Sequence, residues 1–350
     1  MVMVLLLALA SCGDDSPPAG SSGPGSSGPG SSGGTGLDGS GSSGPVGTGS
    51  GSSDEGSDGS STTGELGCLG DLGFGEVEVF YDGFTGGSEG IAFGADGDLY
   101  VTTSDMGDGI VWRLDEAAAL SEHAAVPSAL GLAGRGDGSL VVASIGVNGM
   151  PDGAVYVVDA AGVASELATG IDSPNFVTIA PDGSALVSDD FDTRVFRVAP
   201  DGMVSVAIAD VPSPNGMAYS PDGAWLYVAS TFSADGQLTR YEVDGDGMPI
   251  EASAVEILHL GPGSTPDGIA VDEDGRVYVA ANLFGEIWRV DGAAPEVVEG
   301  ELVAEGLGSP ASLAFGRGPG FDPCSIYVTQ LFGDRVLRVG VGMMGAMLYE

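Results

Sequence analysis

Four oxygen-bearing side chains recur at one place in a repeated phrase. Glu89 stands in SEGIAFGADGDLYVTTS from Ser88 and Asn175 in SPNFVTIAPDGSALVSD from Ser173; Asn215 stands in SPNGMAYSPDGAWLYVAS from Ser213 and Asp267 in TPDGIAVDEDGRVYVAA from Thr265. Two further copies carry no oxygen there, with Leu130 in SALGLAGRGDGSLVVAS and Ala311 in SPASLAFGRGPGFDPCSIYVTQ. Two carboxylates and two amides, without His or Cys, form a hard-oxygen set that suits Ca²⁺ better than Zn²⁺. Ca²⁺ takes about 6–8 oxygens, so four side chains leave roughly two to four positions for water or substrate. Mg²⁺, Mn²⁺ or Zn²⁺ remain alternatives. Asn and Asp beside Pro and Gly also satisfy local backbone in Asx turns, which accounts for PNG and PDG. It does not account for Glu89, a poor turn residue. Two acids with no basic partner would repel, and a divalent cation removes that problem.

The elements that must position these residues follow from the repeat. Each phrase runs apolar alternation, then a tight turn, then a β-rich strand, and Asp-Gly between two alternating runs is a strong hairpin signal. Most copies continue into a third strand, such as TRVFRV, GEIWRV or DRVLRV, and a fourth is expected in segments like 203–209 and 295–300. Six copies at a spacing of roughly forty to fifty residues predict an all-β, six-bladed β-propeller. Hardly any window shows a 3.6-residue apolar period, which excludes a helical solenoid. The sixth copy replaces Asp-Gly with the insertion GRGPGFDPC. In a propeller the first strand of every blade lines the central channel. Glu89, Leu130, Asn175, Asn215, Asp267 and Ala311 should therefore form a ring at one mouth. The loops joining second to third strands surround the same mouth and include Asp105, Asn148, Asp189, Asp190, Phe232, Asn282, Phe284, Gln330 and Phe332. The three phenylalanines give the pocket an apolar side. Asn175, Phe176, Asp189, Phe232, Asn282, Phe284 and Phe332 are the expected substrate-binding residues.

The rest of the chain sets the surroundings. MVMVLLLALASC opens the sequence, too short an apolar run to span a bilayer and readable as a secretory signal. Leu9-Ala10-Ser11-Cys12 resembles the lipobox of bacterial lipoproteins, which makes Cys12 the expected lipidation site. Residues 1–12 are thus expected to be a lipoprotein signal, and 13–66 a disordered Gly/Ser/Pro-rich tether whose composition cannot offset the entropy of ordering. Such a tether spans roughly 40 Å root-mean-square. The propeller is expected over 67–342, long enough for one large core, with a C-terminal tail at 343–350. Fifty acidic against ten basic residues give a formal charge of −40, which argues against nucleic acid and against electrostatic binding to anionic lipid. Membrane contact should come through the lipid anchor only, in a bacterial cell envelope, at the outer membrane or surface. With Cys12 lipidated, Cys68 and Cys324 remain. An exported ring fold that brings its first and last units together permits a Cys68–Cys324 disulfide.

At these residues the chain resembles the SMP-30/gluconolactonase/LRE-like family of six-bladed, calcium-dependent propellers. The resemblance covers about 88 to 340 and is carried by Glu89-Gly90, by Pro174-Asn175, by Pro214-Asn215-Gly216 and by Pro266-Asp267-Gly268. It implies that Glu89, Asn215 and Asp267 hold the metal, that Asn175 holds metal or substrate, and that Asp267 transfers the proton. Sugar-lactone members carry Arg where this chain has Ser173 and Asp where it has Phe176, so an apolar lactone or ester is expected in place of a polyol. The implied activity is metal-assisted hydrolysis of a small-molecule lactone or ester by a monomer, with Asp267 as general base. No GxSxG elbow, which needs a strand-to-helix turn, stands in the repeat region, and His123 and His259 should lie on outer strands. The rival reading is a non-catalytic binding propeller with a structural calcium, since SDDFDTRVFRVAPDG and QLFGDRVLRV also resemble NHL repeats.

Overall fold

The computed structural model describes Cys68, residues 70–105, 108–146 and 150–347, and Tyr349. The expected signal, Cys12, the tether and Asn148 lie outside the described residues. Six antiparallel sheets of four strands each form the blades of a propeller. The innermost strands are Gly87–Phe93, Ala129–Gly134, Pro174–Ile179, Pro214–Tyr219, Pro266–Val271 and Pro310–Phe315. Neighbouring inner strands touch around the channel, and the sixth touches the first. Among the described residues the one helical element is a 3₁₀ turn at Glu251–Ser253.

In five blades the strands follow chain order outward from the axis. The sixth differs, because its outermost strand is Val77–Asp82, paired antiparallel with Arg335–Gly340 from the other end of the chain. Cys68 and Cys324 stand beside this seam as a disulfide pair with a Cα separation of 5.5 Å. Phe80, Phe93, Phe321 and Tyr327 pack edge-on across it.

The Asp-Gly turns are formed as the residue types dictate. Gly97, Gly138, Gly183, Gly223 and Gly275 all take positive φ, which costs a glycine nothing. In four of them the preceding Asp accepts a hydrogen bond from the backbone two residues on, as Asp222 Oδ1 does from Ala224 N–H at 3.1 Å. In the sixth blade Asp322 does the equivalent work, accepting from Cys324 N–H at 3.0 Å.

Two expectations need correction. The apolar interior is not one core but six, each filled by side chains of two neighbouring blades. A four-stranded sheet buries both faces only by packing between two others, so a ring of them divides the core into wedges. The fourth strand of blade five is Glu301–Ala304 and not 295–300. Pro295 has no N–H to offer a ladder, and an outermost strand pairs on one side only, so pairing begins past Gly300.

The C-terminal tail closes the channel at the end opposite the ring residues. Gly345 bridges Asp272, and Ala346 N–H donates to the Val271 carbonyl at 2.9 Å. Tyr349 packs edge-on against Tyr219. Above this plug lies an apolar cavity of about 100 Å³, lined by residues that include Ile91, Phe176, Met217, Ile269 and Leu313.

Candidate functional site at the channel mouth

The six ring positions occupy equivalent places in the six inner strands, and all are buried. Each sits inside a break of strand register. The ladder skips between Ser88 and Ile91, Ala129 and Leu132, Pro174 and Val177, Pro214 and Met217, Pro266 and Ile269, and Pro310 and Leu313. An inserted residue of this kind turns its side chain out of the pleat, here at the start of the strand that lines the axis.

The residue after each ring position explains the recurring glycine. A Cβ on Gly216 would lie 2.8 Å from Ile269 N and closer still to the Asp267 carbonyl, both backbone atoms of the next blade. Gly90 stands likewise against Leu130, Gly131 against Asn175 and Gly268 against Ala311. The Asn-Gly of PNG is therefore not a turn. Asn215 belongs to the channel and Gly216 to the seam between blades.

A second tier of side chains comes from the ends of the second strands. The pairs Ser88–Thr103, Ala129–Ser144, Pro174–Asp189, Pro214–Ser230, Pro266–Ala281 and Pro310–Gln330 set its register. One residue further on stand Ser104, Ile145, Asp190, Thr231, Asn282 and Leu331, and in blades four and five this residue bonds the ring residue of its own blade. Asn215 Nδ2 donates to Thr231 Oγ1 at 3.0 Å, and Thr231 Oγ1 donates to the Pro266 carbonyl at 2.9 Å. Asn282 Nδ2 donates to Asp267 Oδ2 and to the Pro310 carbonyl, both at 3.1 Å. Ser213 Oγ donates to Asp190 Oδ1 at 2.9 Å. In the blades whose ring residue is Leu130 or Ala311, the second-tier residue is apolar too, Ile145 and Leu331.

What these bonds leave over identifies the chemistry. Glu89 Oε2, Asn215 Oδ1 and Asp267 Oδ1 are buried and have no hydrogen-bond partner. A buried polar atom left unmet costs about 1–3 kcal/mol, and native proteins keep few of them. All three are acceptor oxygens. Burial first, and then Asp190, raise the Glu89 carboxyl to about 8. Burial raises Asp190 to about 7 against the pull of the Ser213 and Thr231 hydroxyls. Asp267 is pushed well above the ordinary carboxylate range by burial, then by Glu89 and Asp190, against hydrogen bonds from Asn282 and Asn215. No arginine figures among the groups acting on these three acids. A hard divalent cation fits such a donor set, with Glu89, Asn215 and Asp267 offering free oxygens. Among the described residues no three His, Cys, Asp or Glu side chains alone meet the spacing of a metal cluster, so the amide oxygens are needed.

The remaining expected residues separate into three groups. Phe232, Phe284 and Phe332 stand exposed around the mouth, and Asn282 holds Asp267. Phe176 lines the cavity below the ring. Asp189 is turned away, its carboxylate accepting from Ser173 N–H at 3.1 Å and Phe191 N–H at 3.3 Å, while its neighbour Asp190 faces the acids of the ring. Phe191, absent from the expected set, stacks on Phe232 at 6.0 Å and is 52% exposed. Thr231 was also missing. Asp190 was already expected at the mouth, and counting one residue beyond each second strand would have added Thr231. His123 and His259 lie on outermost strands, as expected, with His259 against Glu256.

Comparison with known proteins agrees with this architecture. Residues 187–330 match the SMP-30/Gluconolactonase/LRE-like region. No curated protein sequence matches the chain. Among solved structures, a calcium-binding protein, regucalcin, from Agrobacterium tumefaciens is 21% identical, with a TM-score of 0.62 over 79% of this chain and 96% of its own. A gluconolactonase from Xanthomonas campestris is 21% identical, with a TM-score of 0.61 over 76% and 89%. A luciferin-regenerating enzyme is 18% identical, with a TM-score of 0.61 over 79% and 99%. At these identities the likeness shows the fold, a six-bladed propeller. The family match over 187–330 takes in Asn215 and Asp267, while Glu89 and Asn175 lie ahead of it.

Proposed function

We propose that this chain is an exported, lipid-anchored hydrolase of a lactone or related ester that depends on calcium or another divalent cation. The observation that carries the reading is the set of three unpartnered, buried acceptor oxygens on Glu89, Asn215 and Asp267. Those residues would hold the cation, with Asn175 beside them, and a bound cation would polarise the substrate carbonyl and stabilise the charge that develops on its oxygen. The likeness to a gluconolactonase and to a calcium-binding protein supports the substrate class and the metal.

The chain's own groups supply the rest. Asn282 holds Asp267 Oδ2 at 3.1 Å and leaves Oδ1 without a partner, so the carboxylate that would hold the cation would also take the proton from water. Thr231 fixes the amide of Asn215, so its carbonyl oxygen keeps one orientation. Phe191, Phe232, Phe284 and Phe332 offer apolar surface at the rim, which favours an ester with an apolar part over a polyol. Export and anchoring at Cys12 rest on the N-terminal sequence, as does placement in a bacterial envelope.

The test is turnover of a panel of lactones and esters, with calcium and with chelator, on wild type and on Asp267→Ala. Calcium-dependent turnover that falls at least about 100-fold in the variant is expected, the usual scale for a general base. Turnover that survives Asp267→Ala would remove the catalytic assignment. No turnover of any ester or lactone, with calcium still bound, would turn the reading to a binding propeller.

A further inference from the structure

We infer that an apolar strip along the rim of the mouth, formed by Phe191, Phe232, Leu283 and Phe332, takes the hydrocarbon chain of the substrate, so that long-chain lactones or esters are preferred to short ones. The inference rests on the hydrolase reading above and names the class of substrate for that same site.

Register lays out the strip. One residue beyond the second tier stand Asp105, Gly146, Phe191, Phe232, Leu283 and Phe332, in blades one to six. Four successive blades thus place a large apolar side chain at one position, and all four are exposed, from 36% at Phe232 to 52% at Phe191. Exposed apolar residues scattered singly need no explanation, but a run of them around a pocket marks a surface that meets a ligand or partner.

Local bonds hold the strip in place. Phe232 N–H donates to Ser213 Oγ at 3.2 Å, Leu283 N–H to Thr265 Oγ1 at 3.0 Å and Phe332 N–H to Ser309 Oγ at 3.0 Å. Those three hydroxyls stand two residues before Asn215, Asp267 and Ala311, so each bond ties the rim to the chain that enters the ring. In blade three the Asp189 carboxylate does the same for Phe191 N–H, at 3.3 Å. Ser213 and Thr265 take φ of 46° and 47°, a left-handed conformation that a β-branched residue such as Thr rarely adopts. Strain of this kind persists where the surroundings fix it, and it clusters at ligand sites.

Shape and charge select the occupant. The Phe191 and Phe232 rings stack on one another, with 6.0 Å between centroids and 25° between planes, so no slot is left between them for a third ring. What remains is a curved strip, which suits a flexible chain lying along it with its carbonyl end over the ring. A formal charge of −40 repels an anionic ligand and a second copy of this chain alike, and leaves a neutral hydrocarbon as the matching surface.

Turnover of γ-lactones with side chains from methyl to octyl, in calcium, tests this on wild type and on the double variant Phe191→Ser with Phe232→Ser. In wild type kcat/KM should rise roughly twofold per methylene, below the about fourfold of complete burial, and chiefly through KM. The double variant should lose at least about 10-fold on the octyl member and keep the methyl member near wild type. Met203→Ser, which removes a 70% exposed side chain outside the rim, should change neither. Fluorescence titration with N-phenyl-1-naphthylamine, an uncharged apolar probe, reads the strip without turnover, and the double variant should bind it at least about 10-fold more weakly. Melting curves check that the variants fold, with Leu283→Ser as a second variant if the double variant does not. Flat kcat/KM across the series, or a folded double variant that behaves as wild type, overturns the inference and leaves the hydrolase reading standing. Wild type that turns over no lactone or ester, yet binds the probe through Phe191 and Phe232, overturns the hydrolase reading and keeps the strip as an apolar binding site. Neither turnover nor probe binding overturns both. Sedimentation with phosphatidylcholine vesicles that the double variant loses, without probe binding, assigns the strip to a lipid surface instead.

Discussion

At the scale of the residue, the site is a set of acids held in the wrong environment for their charge. Glu89 and Asp190 are raised to about 8 and about 7, chiefly by burial. A carboxyl whose folded pKa lies above its unfolded value binds more protons when folded, so its contribution is complete below the unfolded value and is lost as pH rises through the folded one. Without a divalent cation, melting temperature should therefore fall from about pH 4.5, where the unfolded chain has released these protons, to about pH 8, where the folded chain releases them. Calcium should reverse the trend and stabilise most at high pH. Scanning calorimetry in chelator and in calcium across that range checks this, with Glu89→Gln expected to flatten the chelator slope. A chelator profile that rises or stays flat above pH 6 contradicts it. The ring acids were legible because the repeat puts Glu89, Asn175, Asn215 and Asp267 at one offset from an apolar run. Asp190 was legible as a residue of the mouth, whereas Thr231 shows only when the end of the second strand is aligned as well. Asp189 and Asp190 are neighbours of the same type, and only the backbone amides of Ser173 and Phe191 decide which of them turns away from the mouth.

At the scale of the strand, one dipeptide type serves two purposes that composition cannot separate. Asp182-Gly183 is a hairpin turn with Gly183 at φ 78° and nothing within 4 Å of a Cβ there. Asn215-Gly216 is a bulge in an inner strand, with backbone atoms of blade five closing on Gly216. The two should respond differently to alanine. Gly183→Ala meets only the left-handed backbone penalty, about 1–2 kcal/mol, and should leave cation binding intact. Gly216→Ala forces blades four and five apart, an overpacking cost of about 1–3 kcal/mol or more, and shifts Asp267 against Asn215. It should lower both melting temperature and calcium affinity, and calorimetry on the two variants distinguishes them. Equal calcium affinity in both would mean that the seam does not position the site. The inner and second strands were readable from short apolar, β-rich runs bounded by turn residues, because both faces of each are buried. The outermost strands were not. Pairing on one edge tolerates weak propensity, which is why the fourth strand of blade five starts past Pro295 and Gly300 at Glu301.

At the scale of the molecule, the question is what keeps six wedges closed into a ring. Blades one to six follow one another along the chain, and blade six is closed onto blade one by Val77–Asp82, which pairs with Arg335–Gly340 and runs on into Gly87–Phe93. Val77–Asp82 completes the sixth sheet, the Phe80, Phe93, Phe321 and Tyr327 rings fill the wedge, and Cys68 is linked to Cys324 across a sequence separation of 256. None of these is periodic. Repeat counting reveals the blades but not the strand that leaves chain order to seal them, whereas the cysteine pair was foreseeable from the expected export and from ring closure. Cys68 stands nine residues ahead of the sealing strand, and its N–H bonds the Gly342 carbonyl at 3.0 Å. The bridge therefore ties down the start of the propeller, the loop of the sixth blade and the exit toward the tail at one place. Opening it by Cys68→Ser with Cys324→Ser should cost about 2–5 kcal/mol, through the freedom regained by the unfolded chain over so long a loop. Loss should fall on global unfolding, since the ring cannot open at this seam and keep its channel. Calcium affinity of the still-folded variant should stay near wild type, because Glu89, Asn215 and Asp267 lie on inner strands away from the bridge. Chemical denaturation with and without reductant, followed by calorimetric calcium titration, checks both halves. If reduction leaves the denaturation midpoint unchanged, the sealing strand and its aromatic wedge hold the ring by themselves. If it abolishes calcium binding while the fold persists, the channel mouth depends on the seam more than the separation of these residues allows.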